Sequence, residues 1–370
     1  MSKIIILGLF ASSCFLSLIE FSNIKFSRKF KEKIFDLFFF ILILVSASKT
    51  NGTSFDTNNY VNYFINAAPI NSFNFLWYGW EPGYVLLNSL IKTFSNNYHI
   101  FFFVLTTIVL LLYRSIIFRY SNHIFLSLFT YVSCFFFLNE IVIIRFGLAS
   151  AIVFYNIKNI IEGNKKKALL TVLIAMMFHY TSIVTIIPII LYKKENQENL
   201  LHIYTYIFLL MSVLFLLIPP LTIVAYLASF ANDNLGNLLW RLLRYQGMES
   251  EGSLKRIIIY FPFLFLLILY FKNSLFQNRF SENNQQIVFT EILYLFSAIF
   301  FMITCRQVAS LARLNAIFLP IIILSGENIL QPCYKKDPFK YFYFLWIFLF
   351  NTYIFFRAIF FNSGGSINLT

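Results

Sequence analysis

Charged residues are scarce in this chain. Only 12% of its 370 residues are Asp, Glu, Lys or Arg, about half the share that is typical of a soluble domain. There are four aspartates, no Asp-x-Asp pair and no His-x-x-x-His spacing. The four cysteines show no Cys-x-x-Cys spacing and lie mostly in or beside apolar runs. We therefore expect no metal site, no cofactor and no disulfide framework.

Apolar residues are abundant instead. They make up 59% of the chain, and the mean hydropathy is +0.73. Apolar runs near the length of roughly 20 residues that crosses a bilayer recur from end to end. The pattern predicts an all-α, polytopic integral membrane protein of about 10–12 transmembrane or re-entrant helices, forming a single domain over residues 1–370. The candidate spans are 4–21, 34–49, 98–118, 124–140, 141–160, 168–192, 200–218, 256–271, 287–305, 311–330 and 339–361.

The net charge of +13 predicts an orientation in the membrane and does not indicate nucleic acid as a partner. Basic residues are concentrated in short segments between apolar runs, and such segments face the cytoplasm by the positive-inside rule. The segments predicted to be cytoplasmic are 22–33, 114–119, 165–167, 193–194, 272–279 and 335–340. Both termini and the segments 50–80, 139–146 and 231–254 are then expected outside, and 305–311 with them.

Two apolar segments do not fit a chain of regular helices that each cross the membrane once. Residues 82–94 are short for a span and predict a half-helix or re-entrant element. Residues 168–192 have lysines near both ends and are interrupted by His179 and Pro188, which predicts two half-helices with His179 near their junction. Irregular backbone at membrane depth is tolerated where it packs against protein or lines a cavity. Both irregularities therefore indicate a site.

Two predicted outer segments carry candidate substrate contacts. Residues 50–80 contain Asp56 and end in an aromatic cluster that includes Trp80. Such a cluster either anchors the protein at the membrane interface or stacks on sugar rings. Residues 231–254 contain Arg241 and Arg244, which share a face if the segment is helical. These arginines either meet lipid phosphates from an amphipathic interfacial helix or bind a specific phosphate ligand.

Arg145 is the most informative charged residue. Between His123 and Lys158 the only charged side chains are Glu140 and Arg145. An arginine at the centre of a membrane helix costs about 2.5–3.5 kcal/mol on insertion scales. Such a residue is placed at a helix end, is paired, or binds a ligand. Two interpretations stay open from the residues alone: Arg145 binds phosphate, or it pairs with Glu140 in a structural role.

The order of three sequence pieces along the chain is informative. The first is Glu81-Pro82-Gly83-Tyr84, the second runs from Asn139 through Ile144-Arg145 into a small-residue helix, and the third is Phe178-His179 followed by Thr181-Ser182. With the basic segment 165–167 before the third piece, this set resembles the EpsG-like branch of the Wzy polysaccharide polymerases. The family's Gln after the arginine is Phe146 here. The resemblance covers roughly residues 55–192 by motif and the remainder by hydropathy.

The resemblance implies a polymerase of bacterial surface polysaccharide, with capsule, O-antigen and exopolysaccharide pathways all compatible. It implies transfer of a growing glycan from undecaprenyl pyrophosphate to a new lipid-linked repeat unit, on the outer face of the bacterial cytoplasmic membrane. A chain-length regulator protein and membrane lipid are further expected partners. The family is similar to GT-C glycosyltransferases in using a lipid-linked donor. The alternatives are another lipid-linked-sugar glycosyltransferase or ligase, and a flippase of the lipid-linked oligosaccharide.

The resemblance also implies roles for single residues. Arg145 would stabilise the leaving pyrophosphate, and His179 would accept the proton of the acceptor hydroxyl. Glu81, Asp56 and Glu140 are the alternative bases. The expected substrate contacts are Asp56, Trp80, Asn139, Glu140, Arg241, Arg244 and Arg313. Structural alternatives stay open for several of these residues. His179 could donate to a nearby carbonyl, Glu81 could only begin a helix, and Arg313 could mark a helix end.

Overall fold

The computed structural model describes most of the chain. The described residues are 3–22, 24, 26–50, 52–72, 80–121, 123–217, 282–304, 312–324 and 338–360, with short stretches at 226 and between 260 and 268. Within them 86% of residues are helical and none lies in a strand. Five described helices are long and apolar enough to cross a membrane. The predicted all-α polytopic membrane fold is confirmed.

The first half of the chain supplies most of the described helices. These are α1 Lys3–Phe21, α2 Arg28–Ala47, α3 Phe55–Asn66, α4 Pro82–Phe94, α5 Tyr98–Tyr120, α6 Ile124–Tyr131, a π-helix Val132–Val142, α7 Ile144–Tyr155, α8 Ile157–Ile161 and α9 Lys165–Met176. The later elements are a 3-10 helix Tyr180–Thr185, α10 Ile186–Leu191, α11 Gln197–Leu217, α12 Glu282–Thr304, α13 Ala312–Ala316 and α14 Pro338–Phe360.

Large apolar side chains on the described helices point outward. On α11, Tyr206 is 71% and Leu210 66% exposed, and Leu173 of α9 is 57% exposed. A water-soluble helix would bury such a face, whereas a helix in lipid exposes it without cost. These faces therefore agree with helices that contact hydrocarbon.

The chain divides into two compact units. Unit 1 contains residues 1–159, 166–183 and 322–370, and unit 2 contains 160–165 and 184–321. Unit 2 is built around α12, where Tyr294 packs edge-on against Phe318, with ring centroids 5.8 Å apart. The expected single domain over 1–370 is not tested by this division and stays a prediction. The predicted site lies in unit 1, except for Arg313 and the residues outside the described part.

Unit 1 packs α5 against both α2 and α7, and α1 against α6. One end carries several ion pairs. Lys31 Nζ lies 2.5 Å from Glu20 Oε1, and the other carboxylate oxygen of Glu20 accepts the backbone N–H groups of Phe125 and Leu126. Glu20 thereby caps the first turn of α6, whose N–H groups have no partner within the helix. Helix α2 begins at Arg28, ahead of its predicted start at 34, because Ser27 accepts the N–H of Phe30.

The opposite end of unit 1 holds the irregular elements. Helix α4 has 13 residues and rises about 20 Å, which is too short to cross the roughly 30 Å hydrocarbon layer. The prediction that residues 82–94 form a helix too short to span is confirmed, and its re-entrant place in the membrane stays a prediction. The predicted interruption at His179 is also confirmed, because α9 ends at Met176 and a 3-10 helix begins at Tyr180.

Candidate functional site

Arg145 lies in the first turn of α7. The residue before that helix, Ile143, has non-helical backbone angles of −115° and 59°, so the π-helix and α7 are separated by a break. One guanidinium nitrogen of Arg145 forms an ion pair with Glu81 Oε2. The side chains are 20% and 7% exposed, respectively. The ion-pair partner of Arg145 is therefore Glu81, and the alternative that Arg145 pairs with Glu140 is wrong.

Aromatic rings surround the same guanidinium. Its central carbon lies 4.3 Å from the ring centroid of Trp80, 5.7 Å from Tyr84 and 5.8 Å from Tyr60. Contacts within about 6 Å of a ring face attract a cation, by roughly 0.5–2 kcal/mol each. Trp80 and Tyr84 stack at 5.4 Å between centroids. Arg145 thus keeps its charge in a partly buried place because a carboxylate and three rings stabilise it.

Glu81 reaches Arg145 from the start of α4. It has extended backbone angles, Pro82 occupies the first helical position, and the Glu81 side chain makes no capping hydrogen bond. Proline is tolerated at that position because its missing N–H would have no partner there. The prediction that a helix starts at Pro82 is confirmed. Since the Glu81 carboxylate bonds to Arg145 in place of the helix end, its role is not limited to starting α4.

Two glycines bring the three sequence pieces together. The N–H of Gly83 donates to the carbonyl of Met177 at 2.8 Å, and a Cβ on Gly83 would lie 2.8 Å from that oxygen. A Cβ on Gly147 would come closer than 3.0 Å to the backbone carbonyl of Asn139. These approaches need the absence of a side chain. They hold α4 against the break before His179, and α7 against the π-helix.

His179 packs on the residue that follows Arg145. Its ring lies edge-on against Phe146, with centroids 5.3 Å apart and an angle of 89°. The Thr181 hydroxyl lies 2.7 Å from Nδ1, and His179 is 8% exposed. Phe146, which replaces the family's usual Gln, therefore contacts the imidazole through its ring. The three pieces predicted to belong to one site do meet in unit 1.

The remaining predicted residues have different surroundings. Asn139 is 2% exposed and Glu140 is fully buried, with its carboxylate accepting from the Tyr131 hydroxyl at 3.4 Å. Asp56 is partly exposed in the first turn of α3, and Arg313 is an exposed residue of α13 in unit 2. Arg241 and Arg244, with the segments 231–254 and 305–311, lie outside the described residues.

Several residues around Arg145 were not predicted from the sequence. Tyr60 contributes a ring to the arginine, and Tyr63, on the next turn of α3, lies 4.9 Å from the ring of Trp80. Their spacing of three residues on a helix, which places two side chains on one face, was the available signal. Lys49 is also buried near the site. It is the last residue of the predicted span 34–49, at the end expected outside, where basic residues are disfavoured by the positive-inside rule, and this position was the available signal.

A comparison with known protein families identifies the family of this chain. The model of the EpsG family matches residues 32–369, nearly the whole chain. The chain belongs to the EpsG family. This is the family of Wzy-like polysaccharide polymerases, so the resemblance noted in the sequence is confirmed. No curated protein and no solved structure matched this EpsG-family chain.

Proposed function

We propose that this EpsG-family protein polymerises lipid-linked oligosaccharide repeat units on the outer face of the bacterial cytoplasmic membrane. The growing glycan, carried on undecaprenyl pyrophosphate, is the donor. A second lipid-linked repeat unit is the acceptor. Family membership supports the polymerase class. The observation that most supports the proposed chemistry is the Arg145–Glu81 ion pair, which is surrounded by aromatic rings and lies where the three motifs meet.

The reaction needs a group that stabilises the leaving pyrophosphate. An acceptor hydroxyl attacks the anomeric carbon of the donor, the bond from that carbon to the pyrophosphate oxygen breaks, and the hydroxyl proton passes to a base. Arginine presents a planar fork that matches phosphate oxygens. Fixed charge at the leaving group is usually the largest catalytic contribution. Arg145 supplies this charge, and the rings around it hold the guanidinium in place before the substrate arrives.

The pairing with Glu81 couples donor binding to proton transfer. Arg145 holds the Glu81 carboxylate in the structure. A pyrophosphate carries more negative charge than one carboxylate, so it takes the guanidinium from Glu81 when it binds. The released carboxylate, whose side chain is 7% exposed in the structure, is then a base beside the donor. His179 is the second candidate base, since its ordinary pKa is near neutral and the Thr181 hydroxyl orients its ring.

The substrate contacts follow from what surrounds the pair. Trp80 is partly exposed beside Arg145, so its ring is placed to stack on a sugar next to the pyrophosphate. Asp56 starts the helix that carries Tyr60 and Tyr63 and is assigned to a sugar hydroxyl. Arg241, Arg244 and Arg313 are assigned to the pyrophosphate of the acceptor. The side chains of Asn139 and Glu140 do not contact the substrate directly in this proposal, because both are buried.

The proposal is tested in the producing bacterium by Arg145→Ala. We expect loss of polymer, with single repeat units reaching the surface or remaining on the outer lipid carrier. Arg114→Ala is the matched control, because Arg114 also binds a carboxylate, that of Asp36, and stacks on Phe118 at 4.7 Å. It lies at the other end of unit 1 and should leave polymer length unchanged. Accumulation of repeat units on the cytoplasmic face in the Arg145 variant would instead support a flippase.

A further inference from the structure

Lys49 is a buried lysine that the proposed chemistry does not use. It follows the end of α2 and is 1% exposed. Its ammonium donates to the backbone carbonyl of Glu140 at 2.5 Å and lies 3.9 Å from the ring centroid of Phe102. Lysine is almost never fully buried unless it is paired, because removing its charge from water is costly. A lysine kept in this place therefore has specific partners, and its shortest hydrogen bond is to the Glu140 carbonyl, with a longer one of 3.5 Å to the Ser46 hydroxyl.

The carbonyl that Lys49 binds lies at the end of the π-helix. That helix ends at Val142 and Ile143 is not helical, so the last carbonyls lack the N–H partners that a continuing helix would supply. Side chains from outside the helix replace them. Ser46 donates to the same Glu140 carbonyl at 3.1 Å, and Thr57 donates to the carbonyl of Ile141 at 3.3 Å. Of these donors only Lys49 carries a charge, which makes its hydrogen bond the strongest of the set.

The break at Ile143 determines where Arg145 lies. Arg145 is the second residue of α7, and the first turn of α7 is fixed from the other side by the close approach of Gly147 to Asn139. If the end of the π-helix moves, α7 and its arginine move with it. A displacement of about 1 Å at a catalytic group can reduce a rate roughly 100-fold.

We propose that Lys49 is a positioning residue for Arg145. By binding the Glu140 carbonyl, Lys49 maintains the break at Ile143 between the π-helix and α7, so that Arg145 lies beside Glu81 and the aromatic rings. This inference rests on the proposed function, in which Arg145 binds the pyrophosphate. The Lys49 ammonium also attracts the buried Glu140 carboxylate, whose Oε2 atom has no hydrogen-bond partner in the described part of the chain. The test must therefore distinguish two roles of Lys49, as a donor to the Glu140 carbonyl and as a counter-ion of the Glu140 carboxylate.

Four variants of the full-length protein, reconstituted in vesicles, separate the two roles. Lys49→Met removes both interactions, Glu140→Gln removes only the carboxylate charge, and the double variant restores charge balance without restoring the carbonyl bond. Lys92→Met is the matched control, because Lys92 also donates to a backbone carbonyl, that of Ile65 at 3.0 Å, and lies over a phenylalanine ring. The Lys92 contact is exposed, so its loss should leave turnover within about twofold of the unmodified protein.

The measurements are kcat and KM for polymerisation of purified lipid-linked repeats, together with the melting temperature. We expect Lys49→Met to lower kcat at least about tenfold with little change in KM, since a shifted Arg145 affects the transition state more than binding. The double variant should melt close to the unmodified protein and still have the low kcat. Glu140→Gln should lower kcat much less than Lys49→Met does. A double variant with full kcat would overturn the proposal, because Lys49 would then be only a counter-ion.

A second variant covers the case in which Lys49→Met does not fold. Ser46→Ala removes the other donor to the same carbonyl, together with a hydrogen bond of 2.8 Å between the Ser46 and Thr106 hydroxyls, and leaves the charges intact. We expect kcat to fall about two- to fivefold, with a folded protein that melts slightly below the unmodified one. Unchanged kcat in that variant would overturn the proposal. An active Arg145→Ala protein would contradict the proposed function itself, whereas inactive Arg145→Ala beside a fully active double variant would contradict only the role of Lys49.

Discussion

Replacing Glu81 by Gln should strengthen the binding of inorganic pyrophosphate. Arg145 is bonded to the Glu81 carboxylate, so an anion that binds the arginine must compete with that carboxylate. Glutamine keeps the size of the side chain and the start of α4 at Pro82, and it removes the competing charge. If Glu81 instead only supported the shape of the site, the same substitution would weaken binding or leave it unchanged.

The magnitude follows from the burial of the pair. Hydrogen bonds that involve a charged group contribute about 1.5–3 kcal/mol, and exposed ion pairs contribute about 0–1 kcal/mol. The side chains of Arg145 and Glu81 are 20% and 7% exposed, so the pair falls between these limits, at about 1.4 kcal/mol. That energy corresponds to a roughly tenfold lower Kd for pyrophosphate in the Glu81→Gln protein.

Calorimetric titration of the purified, detergent-solubilised protein with sodium pyrophosphate measures this change, at one fixed ionic strength because screening alters such interactions. Arg145→Ala should lose the binding. Glu32→Gln is the matched control, since Glu32 pairs with Arg28 at the other end of unit 1, where the side chains are 37% and 70% exposed. The reasoning is refuted if Glu81→Gln binds pyrophosphate as weakly as the unmodified protein, or more weakly.

Three further substitutions test the architecture of the site. Gly147→Ala would place a Cβ against the Asn139 carbonyl and should lower the free energy of unfolding by about 1–3 kcal/mol. Gly8→Ala is the control, because no atom lies within 4 Å of its new Cβ, and it should not lower the melting temperature. Equal melting temperatures for both variants would show that the approach of Gly147 to Asn139 is not tight. His179→Gln should lower kcat about 100-fold or more if the imidazole is the base, and near-normal turnover would reject that role. Trp80→Leu removes the ring nearest the guanidinium, at 4.3 Å, and should weaken pyrophosphate binding about 3- to 30-fold by loosening the arginine; unchanged binding would remove Trp80 from the site.

The sequence was sufficient for features that depend on local composition and spacing. The length and hydropathy of the apolar runs predicted the membrane helices. The shortness of residues 82–94 and the position of Pro82 predicted the short helix α4 and its start. The ordered motifs around Glu81, Arg145 and His179 predicted which segments form one site, because the chemistry they share needs them together.

The sequence was insufficient for contacts between distant side chains. Glu140 is close to Arg145 along the chain, and pairing between them was a reasonable alternative, but Glu81 is the partner. The π-helix was not predicted, since its last carbonyls are satisfied by donors from α2 and α3 that no local pattern in residues 132–142 reveals. No local pattern identifies the partner of Lys49 either, because that partner is a backbone atom of another helix.

Polymerisation of purified lipid-linked repeat units in vesicles tests the central claim most directly. The assay contains the reconstituted protein and the repeat unit on undecaprenyl pyrophosphate, and it follows both glycan length and release of the lipid pyrophosphate. The account predicts a ladder of longer glycans, one released lipid pyrophosphate for each linkage formed, and neither product with Arg145→Ala. A ladder of normal length from the Arg145→Ala protein would contradict it.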